Sequence, residues 1–368
     1  MTVILREFDT AGGHRFGHAT LASPTTLNAL SLAMIDQLAP RLDTWIADPG
    51  IAGIVLDAEG EKAFCAGGDV QALYRSMRDT EPGQVPREAA AFFEREYRLD
   101  HRIHTCPKPI LCWGHGIVMG GGLGLMAGAS HRVATPGTRI AMPEISIGLY
   151  PDVGGSWFLP RMPGRTGLFL ALTGAPMNAA DARFVGLADA VLPHALKDTM
   201  LQAIATARWQ GDAQADREHL TRLLMQFPAE AGESVLRRHV DLIGSVMLDD
   251  GLEAIATRLR GLAEHADAWL SAAGKTFAKG SPTSAALSHR LWQAARHLSL
   301  AQVLRLEYQV SLGSCMHHDF AEGVRALLID KDRKPIWAPA TLDQVTRAHV
   351  DAHFIERHDG LHPLHDLH

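Results

Sequence analysis

Residues 107–135, PKPILCWGHGIVMGGGLGLMAGASHRVAT, contain a short apolar strand, a glycine-rich turn, an apolar helix and a second strand, in that order. Pro107 and Pro109 end the preceding helix and start the strand at Ile110. Strands that alternate with helices in this way are typical of an α/β fold whose sheet is covered by helices. This stretch therefore predicts the fold class.

The residues before this stretch continue the alternation. Two short strands are predicted over 3–21, and a helix capped by Ser31 follows them. A strand over 51–57, a helix from Val70 and another over 89–105 come next. The predicted order, β-β-α-β-α-α-β-α-β, agrees with an α/β domain.

Beyond Pro160 the pattern changes, because most segments have the apolar spacing of helices and few have that of strands. The longest amphipathic stretch, 283–312, has an apolar stripe that favours a core or subunit contact. We therefore expect two parts, an α/β core over residues 1–200 and a helical region over residues 201–368.

The composition excludes several classes of protein. Of the 368 residues, 46% are hydrophobic and 21% are charged, with a formal net charge of −6, which is typical of a globular chain. No apolar run approaches the roughly 20 residues of a membrane helix, and the basic surplus that drives nucleic-acid binding is absent. The four cysteines form no C-x-x-C pair and the N-terminus does not resemble a signal peptide, which indicates the reducing cytoplasm. We expect a small-molecule ligand and neither a nucleic-acid nor a membrane partner.

Two glycine-rich turns are the first candidates for chemistry. In residues 63–70, AFCAGGDV, two glycines lead from a strand end into a helix, and in residues 119–124, MGGGLG, three glycines open an apolar helix. Glycines let backbone N–H groups point at a ligand, and a helix N-terminus adds partial positive charge. The first turn is therefore a candidate oxyanion site, with a tight turn capped by Asp69 as the alternative. The three glycines of the second turn indicate the close approach of a ligand or of another backbone.

The second turn also fits a dinucleotide-binding fingerprint. Gly122, Gly124 and Ala127 have the spacing G-x-G-x-x-A, and Glu144 lies twenty residues beyond Gly124. In a dinucleotide fold the acidic residue ends the next strand, whereas Glu144 follows a Met-Pro pair. The fingerprint is interpreted as accidental, and a nicotinamide dehydrogenase is the weakest of the functions considered.

Two carboxylates lie in the apolar, glycine-rich segment 141–160, AMPEISIGLYPDVGGSWFLP. Glu144 has apolar neighbours, where desolvation raises a carboxyl pKa towards the range of a general base. Asp152 follows eight residues later, and the alternative for these carboxylates is a cap or an ion pair with Arg161. The twenty histidines form neither H-E-x-x-H nor a zinc-spaced quartet, so no metal is expected.

Four blocks of the chain together resemble the crotonase, or enoyl-CoA hydratase/isomerase, superfamily, and most closely its 3-hydroxyisobutyryl-CoA hydrolase branch. These blocks are residues 64–70, 119–124, 141–155 and 319–333 (DFAEGVRALLIDKDR). The resemblance implies a crotonase-like spiral core of ββα units followed by a helical C-terminal region. It also implies an acyl-CoA substrate and no cofactor, since coenzyme A is part of the substrate.

The resemblance further implies roles for individual residues. The backbone N–H groups of Gly68 and Gly121 polarise the thioester carbonyl, and Glu144 acts as nucleophile or as general base on water. Asp152 positions the water or the acyl group. Glu96 matches an acidic position of the hydrolase branch, and Lys62 is a candidate contact for a coenzyme A phosphate. The other residues expected to contact the substrate are Ala66, Asp69 and Gly120.

One position separates hydrolysis from hydration. Hydratases of the family have a glutamate three residues after the oxyanion glycine, and this chain has Gly124 there. Hydrolysis needs only one carboxylate beside the oxyanion donors. Gly124 together with Asp152 therefore favours thioester hydrolysis over hydration. The resemblance to the hydrolase branch implies that the substrate is a short branched 3-hydroxyacyl-CoA, as in valine degradation. The alternatives are an enoyl-CoA hydratase or isomerase and a non-catalytic binding protein of the same fold.

The resemblance also bears on the oligomeric state. Members of the family commonly form homo-oligomers, so a homo-oligomer is one expectation for this chain.

Overall fold

The computed structural model describes residues 2–227, 232–248, 250–358 and 360–368. The described residues form nine strands: β1 Val3–Asp9, β2 Arg15–Leu21, β3 Ile51–Ala58, β4 Ala63–Cys65, β5 Ile110–Gly114, β6 Ile117–Met119, β7 His131–Ala134, β8 Arg139–Ala141 and β9 Ala190–Val191. They also form seventeen α-helices: α1 Leu32–Ala47, α2 Val70–Arg78, α3 Arg87–His104, α4 Gly121–Gly128, α5 Gly155–Phe158, α6 Thr166–Thr173, α7 Ala179–Phe184, α8 Lys197–Thr206, α9 Ala213–Leu224, α10 Val235–Arg238, α11 Val240–Val246, α12 Leu252–Gly261, α13 Ala268–Lys279, α14 Pro282–Ala294, α15 Leu300–Met316, α16 His318–Val324 and α17 Arg347–His353.

Internal contacts divide the chain into two units, each built from three separate stretches. The first unit comprises Met1–Gly68, Leu99–Ile140 and Met177–Arg238. The second comprises Asp69–Arg98, Ala141–Pro176 and His239–His368. The boundary expected at residue 200 rests on secondary structure alone and stays a prediction.

A six-stranded sheet runs through the first unit in the order β1-β2-β3-β5-β7-β9. Strands β1 and β2 pair antiparallel, as expected for two strands joined by a tight turn, and each later pair of neighbours is parallel. Parallel neighbours need crossover connections, which are usually helical. Helix α1 is one such connection, and the Ser31 side chain caps it by accepting a hydrogen bond from the Met34 N–H. The predicted α/β class is confirmed.

Helices α8 and α9 pack with this sheet to form an apolar core. All eight residues of β3 are buried, as is typical of a strand covered on both faces. The apolar side chains that the strands and the two helices contribute to this core include Phe16, Val55, Leu111, Trp113, Val133, Met200, Ile204 and Leu220. Burial of this surface holds the central strands in register.

The second unit is predominantly helical, as the sequence beyond Pro160 predicts. Every residue of α6 is buried, and α6 contacts α13 and α14. The amphipathic stretch 283–312 spans two helices, α14 and α15. Helix α15 begins after Ser299, which forms a reciprocal capping box with Gln302.

Two further expectations concern the cysteines and the membrane. None of the four cysteines forms a disulfide and all four are buried, as the absence of paired motifs predicts. Within the described part of the chain, no helix combines the length and the apolar composition needed to span a bilayer.

Candidate active site

Both glycine turns lie in the first unit, at the carboxyl ends of neighbouring parallel strands. Strands β4 and β6 pair in parallel, with Cys65 opposite Val118, and a glycine turn follows each strand. Gly67 has a φ of +118° and Gly120 has a φ of +47°, which side chains rarely allow. A Cβ atom on Gly67 would lie 3.5 Å from the Met119 carbonyl oxygen, so the two turns approach each other backbone to backbone.

The backbone N–H groups of Gly68 and Gly121 are the expected oxyanion donors. Gly121 is the first residue of α4, where an N–H has no acceptor within the helix. Among the described residues of this unit, no backbone carbonyl accepts a hydrogen bond from Gly68 or Gly121. The positive end of the α4 dipole also favours negative charge at this position. An oxyanion hole requires two backbone donors of this kind, and the role of Gly68 and Gly121 as that pair stays a prediction.

The third consecutive glycine has a packing role. A Cβ atom on Gly122 would collide with the backbone of Cys65, so a side chain here would push α4 away from β4. Glu144 does not end the strand that follows α4, which is β7, but begins a short 3-10 turn after β8. Helix–strand packing therefore accounts for Gly122, and the position of Glu144 after β8 gives the dinucleotide interpretation no support.

Two of the expected substrate contacts, Lys62 and Ala66, lie beside the first glycine turn. Lys62 is exposed and lines a cavity of about 420 Å³ together with Asn28 and Glu59. Ala66 donates its N–H to the Leu27 carbonyl at 3.1 Å. The contacts of Lys62 and Ala66 with substrate stay predictions, as does that of Gly120.

The other two expected contacts, Glu96 and Asp69, lie in the second unit. Glu96 is on α3 and only 2% exposed, so it is not an ordinary residue of a solvent-facing helix surface. Asp69 precedes α2, and its carboxylate accepts a hydrogen bond from the Ala72 N–H at 3.1 Å. The capping alternative is thus confirmed for Asp69, while the substrate contacts of both residues stay predictions.

The structure brings Glu144 and Asp152 together in the second unit. Both carboxyl groups are buried. Burial, and then the negative charge of Asp152, raise the pKa of Glu144 well above its usual value. Burial also raises the pKa of Asp152 to about 6, although a hydrogen bond from Tyr97 lowers it in part. Burial and the nearby charge of Asp152 both disfavour the ionised form of Glu144, so Glu144 keeps its proton to a higher pH than an exposed glutamate.

The two carboxyl groups differ in their hydrogen bonds. The Tyr97 hydroxyl donates to Asp152 Oδ2 at 2.7 Å. Glu144 Oε2 is buried and has no hydrogen-bond partner among the described residues. A buried polar atom without a partner costs roughly 1–3 kcal/mol, so such an atom marks a place where a ligand or water completes the site. Arg161, considered above as a partner for these carboxylates, lies over the Trp157 ring, 4.1 Å from its centroid.

The fourth sequence block packs against the turn that carries Glu144. A Cβ atom on Gly148, whose φ is +75°, would collide with the backbone of Asp319, and one on Gly323 would collide with the backbone of Ile147. Asp319 is itself buried and accepts a hydrogen bond from the Ser281 hydroxyl at 2.6 Å. The downstream block therefore supports the position of Glu144.

Sequence reasoning misses the residues that hold Asp152. Tyr97, Tyr150 and Ser311 form a chain of buried hydroxyl groups that reaches Asp152, and Glu307 lies at its far end. The available signal is weak: Glu307 is the only acidic residue of α15, on a helix with a buried apolar stripe.

Within the described ranges, no three His, Cys, Asp or Glu side chains are grouped so that they could hold a metal ion. The expectations of no metal and of no cofactor beyond coenzyme A in the substrate stay predictions.

The fold and these two groups of residues define the class of protein: the chain belongs to the enoyl-CoA hydratase/isomerase family, whose model matches residues 16–354. The resemblance inferred from four sequence blocks is thereby confirmed. Among curated relatives, "3-hydroxyisobutyryl-CoA hydrolase, mitochondrial" of Gallus gallus is 39% identical over 345 residues, which cover 91% of this chain and 85% of the relative. The protein of the same name from Homo sapiens is 37% identical over 343 residues, with 92% and 86% covered.

Two solved structures share the fold over nearly their whole length. A carnitinyl-CoA dehydratase from Mycobacterium thermoresistibile is 36% identical, with a TM-score of 0.84 and 96% of each chain covered. An enoyl-CoA hydratase from Rhodobacter sphaeroides 2.4.1 is 34% identical, with a TM-score of 0.83 and with 96% of this chain and 97% of that chain covered. The crotonase-like fold predicted from the sequence is confirmed.

Proposed function

We propose that the chain hydrolyses the thioester bond of a short branched 3-hydroxyacyl-CoA, the activity that the names of its curated relatives describe. The observation that carries the proposal is the buried pair of Glu144 and Asp152, in which Glu144 Oε2 has no hydrogen-bond partner among the described residues. Gly124 occupies the position where a hydratase of the family has a further glutamate, which favours hydrolysis over hydration.

In the proposed reaction, the N–H groups of Gly68 and Gly121 donate to the thioester carbonyl oxygen and stabilise the charge that develops on it. The ionised Glu144 then attacks the carbonyl carbon, which gives an acyl anhydride and the coenzyme A thiolate, and water hydrolyses the anhydride. Alternatively, Glu144 takes a proton from a water molecule that attacks the carbonyl carbon directly. In both routes the C–S bond breaks, the acyl group gains the water oxygen, and the thiolate leaves to become a thiol.

The remaining residues bind or orient the substrate in this proposal. Asp152, held by the Tyr97 hydroxyl, orients the water or the acyl group. Glu96, a buried carboxyl group on α3 that matches an acidic position of the hydrolase branch, accepts a hydrogen bond from the substrate hydroxyl. The residues proposed to contact the coenzyme A portion or the thioester are Lys62, Ala66, Asp69 and Gly120.

Hydration of an enoyl-CoA is the second candidate. The two solved structures are titled carnitinyl-CoA dehydratase and enoyl-CoA hydratase, at 36% and 34% identity. A hydratase uses two carboxylates on one water molecule, and Asp152 lies near enough to Glu144 to raise its pKa. A non-catalytic binding protein, the third alternative, predicts neither reaction.

Free-thiol release from a panel of acyl-CoA thioesters tests the proposal. The panel contains 3-hydroxyisobutyryl-CoA, 3-hydroxypropionyl-CoA, crotonyl-CoA and acetyl-CoA. We expect release from the 3-hydroxyacyl substrates to exceed that from acetyl-CoA by at least about 100-fold, because a site built for a hydroxyl rejects a substrate that lacks it. Loss of the crotonyl-CoA double bond without thiol release would instead establish hydration.

We expect kcat/KM to rise with pH over a range above that of an ordinary glutamate, because both routes use the ionised Glu144 and burial raises its pKa well above the usual value. In Asp152→Asn, Glu144 loses a negatively charged neighbour, so its pKa falls. We therefore expect the rise of kcat/KM with pH to occur at lower pH in this variant than in the wild type. Thiol release measured between about pH 5 and 9 gives both profiles. A flat profile for both proteins is the result that contradicts this assignment.

We also propose a cytoplasmic location, supported by the buried cysteines, none of which forms a disulfide, and a homo-oligomeric state. The curated relatives are named as mitochondrial proteins, so cell fractionation of the source organism is the decisive test for location. Sedimentation equilibrium of the purified chain tests the oligomer.

A further inference from the structure

Glu307 is a fully buried carboxylate in the middle of α15, a helix that the proposed reaction does not use. It is 0% exposed. Burial and the negative charge of Asp152 raise the pKa of Glu307 to about 8, while hydrogen bonds from Gly154 and Ser156 act in the opposite direction. A buried acidic side chain is energetically unfavourable unless its hydrogen bonds compensate, so the contacts of Glu307 show what it does in the fold.

The Glu307 carboxylate binds the backbone directly after Asp152. The N–H of Gly154 donates to Oε2 at 2.8 Å, and the N–H of Ser156 donates to Oε1 at 2.9 Å. The chain between Asp152 and these donors is strained, because Val153 has a φ of +52° and is β-branched. Such a turn persists only when its surroundings hold it. Both oxygens of one side chain hold this turn.

Ser311 lies one helical turn beyond Glu307 on the same face of α15. Its hydroxyl is 2.7 Å from the Tyr97 hydroxyl and 2.8 Å from the Tyr150 hydroxyl. Tyr97 donates to Asp152 Oδ2, and Tyr150 donates to the Glu307 carbonyl at 2.6 Å. Helix α15 is therefore connected to Asp152 twice, through the backbone that follows it and through the hydroxyl that binds its carboxylate.

We propose that Glu307 is a positioning residue for Asp152: by binding the Gly154 and Ser156 N–H groups it fixes the strained turn and thereby the direction of the Asp152 carboxylate. This inference rests on the proposed function, since it assigns Asp152 a task in the reaction. Glu307 itself touches neither the substrate nor the reacting atoms in this proposal. A displacement of about 1 Å at a catalytic group can lower a rate by about 100-fold, so loss of the clamp acts on turnover.

The test compares Glu307→Gln with Ser314→Ala. Glutamine has the shape of glutamate, but its NH₂ group cannot accept a hydrogen bond, so one of the two backbone donors loses its partner. Ser314 is a matched control, because it is buried on the same helix and its hydroxyl donates to the Val310 carbonyl, at 2.9 Å, within that helix. For Glu307→Gln we expect kcat to fall by about 10- to 100-fold with KM within about twofold of the wild type.

A second readout is independent of activity. We expect amide hydrogen exchange at Gly154 and Ser156 to accelerate in Glu307→Gln and to remain at the wild-type rate in Ser314→Ala. Unchanged kcat together with unchanged exchange at the two amides overturns the proposal. A fall in kcat in both variants that follows their loss of thermal stability also overturns it, because Glu307 is then a structural residue only.

The same experiment separates this inference from the proposed function. If the wild type releases no thiol from any thioester, the proposed hydrolysis fails, and the kcat comparison is repeated on hydration of crotonyl-CoA while the exchange rates are read as before. If Glu307→Gln does not fold, Glu307→Asp replaces it, because aspartate keeps the charge but withdraws the carboxylate by one methylene group. For Glu307→Asp we expect the same fall in kcat and the same faster exchange at the two amides as for Glu307→Gln, and the same contrary results overturn the proposal.

Discussion

We expect Glu144→Gln to lower kcat for thioester hydrolysis by about 1,000-fold or more, with little change in KM. Glutamine keeps the shape of the side chain but is neither a nucleophile nor a base, so both proposed routes lose their reacting group. Free-thiol release from 3-hydroxyisobutyryl-CoA measures the effect. Near-normal turnover in a folded variant would remove Glu144 from its catalytic role.

Thermal unfolding separates this loss from a loss of structure. Because folding raises the pKa of Glu144, the native state holds a proton that the unfolded state releases once the pH exceeds about 4.3. The stability of the wild type therefore falls as the pH rises from there through the folded-state pKa. Glutamine has no such dependence, so we expect the Tm of Glu144→Gln to equal or exceed that of the wild type at pH 8.

Glu94→Gln is the control for the neutralisation of a glutamate, because Glu94 lies on the partly exposed surface of α3. We expect this variant to retain the activity of the wild type.

The second large effect is expected from Gly121→Pro, which removes a proposed oxyanion donor. Proline has no N–H, and it is well tolerated at the first position of a helix, which Gly121 occupies in α4. Loss of one oxyanion donor lowers kcat by about 100- to 1,000-fold in related chemistry. Thiol release under saturating substrate is the measurement.

Gly121→Ala is the matched control, because alanine adds bulk at the same buried position but keeps the N–H. We expect its kcat to lie closer to that of the wild type than to that of Gly121→Pro. Circular dichroism establishes that both variants fold. Equal activity in the two variants would show that the Gly121 N–H is not an oxyanion donor.

Much of the first unit follows from short-range patterns. The Ser31 cap, the antiparallel pair β1–β2 and the strand–turn–helix around MGGGLG are all present as predicted, because each depends on residues close together in the chain. The candidate carboxylates also follow from their apolar surroundings in residues 141–160. The local sequence pattern does not predict which residues form hydrogen bonds with each of these carboxylates.

The residues of α15 that hold the Asp152 turn lie far from Asp152 in the sequence. Glu307 binds backbone groups about 150 residues before it, and Ser311 reaches Tyr97 over 214 positions. In the sequence these residues are polar positions in an amphipathic helix, which indicates a solvated face as readily as a buried network. Only packing of α15 against the Asp152 turn distinguishes the two.

The sequence by itself determined the α/β class, the two glycine turns, and Glu144 with Asp152 as the candidate catalytic groups, because glycine spacing, helix caps and apolar periodicity act over a few residues. Only the tertiary structure decided that Asp69 is a cap, that Glu96 is buried, and that α15 holds the Asp152 turn. Burial and long-range hydrogen bonds arise when distant segments pack together, and that packing depends on the whole chain.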